Sequence, residues 1–337
     1  MSSIAKSSLI EAHRPRWRTF RLWLLFTAVL VTLQAALAWA VWHDRYWLAV
    51  PLTLLVAHFM HSQLMAFHEA AHYVFCPNRR LNEAVGIGIG VFHFNSLSLF
   101  RAVHHTHHAH LGTIQDEQLW PFVDPGVPRW RRRLAAAAEL TLGMFYDAIM
   151  FWRAFFRHTT PIRTPQMRRR IRQEFALLVV FWSAMFAATV WLDTAKLLLW
   201  MYVIPVLLTG SMYAWRKYVE HMGLMGSTPA GLSRSVIHTD PLGRLLTFTM
   251  FNIGFHGVHH AYASLPQDAL PQFSGVLHDD EHAAGEAVYP TYYRAFCAML
   301  PSLADPRVGA QWLDTEQKPC AALAPGDSRT AAYAGGE

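Results

Sequence analysis

Four apolar runs constrain this chain more than any other feature of it. Residues 22–42, 46–67, 175–192 and 197–215 contain no Asp, Glu, Lys or Arg. A helix rises about 1.5 Å per residue, so roughly 20 residues cross a hydrocarbon core of about 30 Å. The first two runs are separated by His43-Asp44-Arg45, and the last two by Asp193-Thr194-Ala195-Lys196. Turns that short pair the runs into two hairpins. The chain is 53% hydrophobic and 15% charged, a membrane-protein composition. Its formal charge of +6 comes largely from arginines near the ends of the runs, which fits the positive-inside bias better than nucleic-acid binding. Arg14, Arg16, Arg18 and Arg21 precede the first run, which exceeds the roughly 7–15 apolar residues of a cleaved signal. Residues 1–21 are therefore expected to be cytoplasmic, followed by an uncleaved helix. Arginines crowd residues 79–170 as well, so that stretch belongs on the same side.

Two shorter apolar stretches do not read as spans. Residues 85–100 include Gly86, Gly88 and Gly90 and suit a re-entrant or interfacial segment. Residues 134–156 carry Glu139, Asp147 and Arg153 and suit one interfacial amphipathic helix. The expected fold is an all-α integral membrane protein with about four transmembrane helices in two hairpins and a cytoplasmic helical cap. Residues 22–290 would form the membrane domain and 291–337 a cytoplasmic segment with a disordered, Ala/Gly/Pro/Ser-rich tail. Cys76, Cys297 and Cys320 form no C-x-x-C pair and fit reduced thiols. Trp17, Trp39, Trp42, Trp47 and Trp215 lie near run ends, as interfacial anchors do.

The cytoplasmic ends of these runs carry histidines in three groups: His68-x-x-x-His72, His104-x-x-His107-His108 and His256-x-x-His259-His260. Residues three and four apart share a helix face, so each group can aim several ring nitrogens at one point. Imidazole is the commonest metal ligand and is largely neutral near pH 7. Eight imidazoles exceed what one ion takes, and the pattern asks for two metals.

Three such boxes at the cytoplasmic ends of four spans resemble the membrane fatty acid desaturase and hydroxylase superfamily. Lys217-Tyr218-Val219-Glu220-His221-Met222-Gly223-Leu224 is similar to the N-Y-x-E-H-Y-G-L segment of membrane alkane monooxygenases. That resemblance implies a non-haem centre of two iron ions, with His221 as a ninth ligand beside the eight box histidines. Asn252 fits the N-x-x-x-H-x-x-H-H form of many desaturases and is expected to support the third box. Gly112-Thr113-Ile114-Gln115-Asp116 is similar to the G-T-x-x-D segment of carotenoid ketolases. The implied activity is oxygen-dependent desaturation of a fatty acyl or related lipid chain, with hydroxylation or ketolation of an aliphatic or carotenoid substrate as the alternative. O2 is the co-substrate. No cytochrome-b5-like segment is recognised, so electrons would come from a separate ferredoxin, rubredoxin or cytochrome-type protein with its reductase. The setting expected is a bacterial inner membrane.

Other readings of the same residues compete. His68-Glu69-Ala70-Ala71-His72 is also a literal H-E-x-x-H, the zinc-protease signature, but that needs one further ligand and leaves the other boxes unexplained. A metal transporter would place ionisable groups within several spans rather than at one end. Ligating imidazoles usually need a partner that holds the ring, and Glu69, Asp116 and Glu220 are the candidates, with Glu117 a further one. His58 and His61 lie deeper in the second run, either satisfied by a neighbouring helix or, for His61, lining a substrate chamber. His105 and His110 are expected in solvent or behind the ligands, and His93, His238, His278 and His282 at ordinary surface or loop positions.

Overall fold

The computed structural model describes residues 12–157, 161–274 and 286–313. Four of its helices are long and apolar enough to cross a membrane: α1 (Trp17–Trp42), α2 (Tyr46–Ala71), α7 (Pro165–Trp191) and α8 (Ala195–His221). Their outward faces carry exposed Leu24, Leu25, Val31, Leu54, Val179, Val180 and Phe186, as lipid contact requires. Asp44 and Asp193 adopt positive φ (55° and 52°) in the two hairpin turns, a conformation that short polar side chains tolerate best among non-glycines. These turns lie together, joined by Lys196 Nζ to Asp44 Oδ1 at 2.6 Å. The histidine-bearing ends of α2 and α8 meet at the opposite end. Within α8, Leu199–Val203 wind as a π-turn just ahead of Pro205, which has no N–H to continue the α ladder.

Between the hairpins the chain folds back on itself. Helices α3 (Arg79–Phe92) and α4 (Leu97–Ala109) are bent by 99° across a short break. The bend is set by caps and by close packing. Asn78 and Ser96 cap the two helices through Leu81 N–H (3.1 Å) and Leu99 N–H (3.2 Å). A Cβ at Gly90 would sit 2.6 Å from the Asn95 carbonyl oxygen, so only glycine admits the return of the chain there. Glu174 of α7 accepts from Ser96 Oγ and Ser98 Oγ (2.6 Å each) and from Ser98 N–H (3.0 Å), fixing the start of α4. Arg101 then ties α4 to the end of α2 through the carbonyls of Ala70 (2.9 Å) and Ala71 (3.0 Å).

The single amphipathic helix expected over 134–156 is instead two, α5 (Arg129–Leu142) and α6 (Met144–Phe156), broken at Gly143. Gly143 has φ 55°, and a Cβ there would lie 2.7 Å from the Gly210 carbonyl carbon. Two charges on these helices are paired inward, Glu139 with Lys217 and with Tyr218 Oη (2.8 Å), and Arg153 with Glu117 (2.6 Å).

After α8 come β1 (Arg234–Val236), α9 (Pro241–Thr249), α10 (His256–Ala261), α11 (Leu270–Phe273), β2 (Ala287–Tyr289) and α12 (Tyr292–Met299). The two strands pair in parallel, Ser235 opposite Val288, a minor departure from a purely helical fold. Val236 N–H donates to Gly254 O (2.8 Å) and Gly257 N–H to Ser235 Oγ (2.9 Å), so β1 holds the start of α10. Residues beyond α12 return to the same core, with Val308 N–H and the Trp312 indole N–H both donating to Phe122 O (3.0 and 2.9 Å). The tail from residue 314 onward lies outside the described residues, as do His278 and His282.

Candidate metal centre

Nine imidazoles converge where α2, α4, α8 and α10 meet, and they form two groups. The first comprises His68, His72, His104, His108 and His259, each offering one ring nitrogen within 4.8 Å of the others. The second comprises His107, His221 and His260, with His256 joining through His221 Nε2 at 2.9 Å. The groups abut at His108 and His260, whose ring centroids are 4.4 Å apart.

The helix period sorts the ligands. In every box the pair at i and i+4 stays together, whereas the intervening histidine of the second and third boxes crosses over. Thus His104 and His108 face one group while His107 faces the other, and His256 and His260 face the second group while His259 returns to the first. Each of these boxes was expected to serve one point; instead it serves two. Adjacent residues lie about 100° apart on a helix, which swings His107 away from His108.

Several rings are fixed by a bond at the nitrogen facing away from the group. Leu232 O accepts from His221 Nδ1 at 2.8 Å. Asp116, wholly buried, accepts from His107 Nδ1 at 2.9 and 3.0 Å and from the N–H groups of Gly112, Gln118 and Leu119, each at 3.1 Å. Gln118 Oε1 stands 2.9 Å from His104 Nδ1. A carbonyl can only accept, so the proton of His221 is on Nδ1 and its Nε2 presents a lone pair inward.

That arrangement fits metal ions. Nitrogens facing one another stand at 2.8 Å (His68 and His104), 3.1 Å (His104 and His108) and 2.9 Å (His221 and His256). Two donors about 2.1 Å from a shared ion and at right angles to each other are separated by about 3 Å. The Nε2 atoms of His72, His259 and His260 have no hydrogen-bond partner among the described residues, which a bound cation would remedy. Burial, then the neighbouring imidazoles, holds His256, His259 and His260 well below the ordinary histidine range, so they are neutral, as ligands must be. Seven of the nine rings are buried.

The sequence profile of fatty acid desaturases matches residues 45–293. The chain belongs to the fatty acid desaturase family. It is 24% identical over 304 residues to a probable fatty acid desaturase of Sorghum bicolor, covering 84% of this chain and 74% of that protein. It is also 24% identical over 235 residues to a fatty acid desaturase of Bacillus subtilis, covering 67% of each. The family match begins at the first hairpin turn and ends in α12, so it contains both histidine groups.

In this desaturase chain the remaining candidates take distinct places. Glu220 reaches the second group directly, with Oε2 3.6 Å from His256 Nε2, while Arg216 donates to Oε1 at 2.5 Å. Glu69 Oε1 stands 3.7 Å from His68 Nδ1, and Oε2 accepts from Gln267 N–H at 3.0 Å. Among the described residues Asn252 bonds to no ligand ring; it donates to Gln267 O at 3.2 Å and so braces the segment behind Glu69. Glu117 turns away to Arg153 and Arg157. His105 and His110 are exposed, at the rim. His93, expected at the surface, is buried, with Nδ1 3.2 Å from Ile89 O. Gln118 and the Leu232 carbonyl were missed: both lie in irregular segments, where no periodicity signals them.

Phe100 stacks on His104 (centroids 5.0 Å, planes 16° apart) and with Phe67 forms an apolar floor under the first group. The protein is accordingly an oxidoreductase of the desaturase type, set among membrane-crossing helices and suited to a lipid substrate.

Proposed function

We propose that this protein catalyses oxygen-dependent desaturation of a fatty acyl or related lipid chain. Two iron ions would be held by His68, His72, His104, His108 and His259 on one side and by His107, His221, His256 and His260 on the other. The observation that carries this reading is the division of nine convergent imidazoles into two abutting groups. Bound iron would supply the activation of O2 that breaking an unactivated C–H bond demands and that acid–base side chains cannot provide. In the overall reaction two hydrogens leave the chain and, with two electrons and two protons from outside, convert O2 to two waters.

The residues of the chain have separable tasks. Asp116, Gln118 and the Leu232 carbonyl hold the outer nitrogens of His107, His104 and His221, which keeps their inner nitrogens aimed. Glu220, tethered by Arg216, adds a carboxylate oxygen beside the second group. Phe67 and Phe100 keep water from the first group on its inner side. The electrons are assigned to a separate ferredoxin, rubredoxin or cytochrome-type donor, and the site to the cytoplasmic face of a bacterial inner membrane.

The first box is poorly suited to peptide hydrolysis, since His68 and His72 share their group with three further imidazoles and Glu69 is engaged by Gln267. Mass spectrometry of lipids from cells with and without the protein tests the proposal. Loss of two hydrogens from a chain is expected; gain of one oxygen would reassign the reaction to hydroxylation, and no change in any lipid would overturn it.

A further inference from the structure

A cavity of about 430 Å³ lies between α2, α8, α9 and α12, with Met212, Leu246 and Tyr293 exposed where it opens. Its inner wall reaches Arg216, which bonds Glu220 at 2.5 Å, and Glu220 in turn stands 3.6 Å from His256 Nε2. Most of the lining is apolar, including Trp215, Val219 and Phe296, and matches a hydrocarbon chain.

Two of the polar side chains in the lining have no hydrogen-bond partner at all among the described residues. His61 is 2% exposed and Thr247 7% exposed, and both face this cavity. Neither ring nitrogen of His61 and no bond from Thr247 Oγ1 finds a partner among the described residues. A polar group this deeply buried is costly unless something hydrogen-bonds to it. His58, on the same helix and lining the same cavity, shows the contrast. Thr249 Oγ1 spends its hydrogen on the Leu245 and Leu246 carbonyls (3.0 and 3.1 Å) and therefore accepts from His58 Nε2 at 2.8 Å. His58 is satisfied by a neighbouring helix, and His61 is not.

We propose that the lipid taken into this cavity carries a hydroxyl or carbonyl oxygen along its chain, bound by His61 and Thr247. This rests on the reading of the protein as acting on a lipid chain and narrows that chain to an oxygenated one. A neutral imidazole offers one donor and one acceptor, and a threonine hydroxyl offers both. The pair therefore accommodates either kind of oxygen, whereas a plain hydrocarbon would leave both side chains stranded.

The test uses full-length protein in lipid nanodiscs and two probes, 10-bromodecan-5-ol, whose hydroxyl lies along the chain, and 1-bromodecane. Bromine quenches tryptophan fluorescence, Trp215 lines the cavity, and a Trp215→Phe variant isolates its contribution. At equal membrane concentration, the alcohol is expected to half-saturate roughly tenfold lower than the alkane. His61→Phe and Thr247→Val should each bring the alcohol to the level of the alkane while leaving alkane quenching intact, which reports that the cavity has kept its form. Equal half-saturation of the two probes in the wild type would overturn the proposal and assign water to His61. So would an alcohol preference that survives in both variants. Because no turnover is measured, the result stands apart from the lipid analysis that decides between desaturation and hydroxylation.

Discussion

Replacing Asp116 with asparagine changes one atom in a buried carboxylate, and its consequence can be worked out bond by bond. Oδ1 accepts from Gln118 and Leu119 N–H at 3.1 Å, Oδ2 accepts from Gly112 N–H at 3.1 Å, and both lie within 3.0 Å of His107 Nδ1. The amide oxygen keeps most by taking the Oδ1 position. The amide nitrogen then faces the Gly112 N–H, donor against donor. Leaving that N–H unpaired costs about 1–3 kcal/mol, and loss of charge assistance on the imidazole bond about 1 kcal/mol more. Asp116→Asn should therefore destabilise the fold by about 2–4 kcal/mol, and Asp116→Ala, which strands all four donors, by more. Loss of a group that orients a ligand typically lowers metal affinity about 10–100-fold. Denaturant unfolding reads the first effect and chelator competition the second, both on purified protein. If Asp116→Asn kept wild-type stability and metal affinity, the assignment of Asp116 as the anchor of His107 would be wrong.

Three further outcomes are expected. His221→Ala should strip metal and abolish turnover, as should His107→Ala and His260→Ala, while His105→Ala and His110→Ala keep most of both; metal analysis reporting the reverse would redraw the ligand set. Reporter fusions at Asp44 and Thr194 should both signal the outside of the membrane, and a cytoplasmic signal at either would break the two-hairpin arrangement. Burial alone would raise the Asp305 carboxyl, but Arg132 and Arg307 outweigh it and hold it below the ordinary carboxylate range. Its stabilising effect is thus present above about pH 4–5 and lost as pH falls through the lowered value. The gap in melting temperature between wild type and Asp305→Asn should accordingly narrow in acid, and a gap that widens would refute the sign.

The four long helices could be read from sequence because hydropathy and length are properties of a run, independent of what it packs against. The same holds for the box histidines, whose spacing already encodes a shared face. His221 is different: its neighbourhood of Tyr218, Glu220 and Gly223 is informative only by resemblance, and nothing in its spacing to the boxes announces that it lies 2.9 Å from His256. The break at Gly143 escaped because it is imposed by the approach of Gly210, a contact between residues far apart in the chain. His93 escaped for a related reason, since its burial depends on the bend between α3 and α4. Gln118 and the Leu232 carbonyl act from loops, where partner choice is decided by tertiary placement alone.

The crossing of His107 and His259 between the two groups has a mechanical consequence. Helices α4 and α10 each deliver donors to both groups, so a motion of either helix disturbs both groups at once. A rigid shift of α4 withdraws His104 and His108 from one and His107 from the other in the same movement. Order imposed on these helices at one group is order already achieved at the second, so filling either should ease filling of its neighbour. Titration of the metal-free protein with metal should then rise steeply, with few half-filled molecules along the way, and removal by a chelator should empty both groups together. A protein built with one box per ion would lack that coupling and would tolerate a stable, singly filled form.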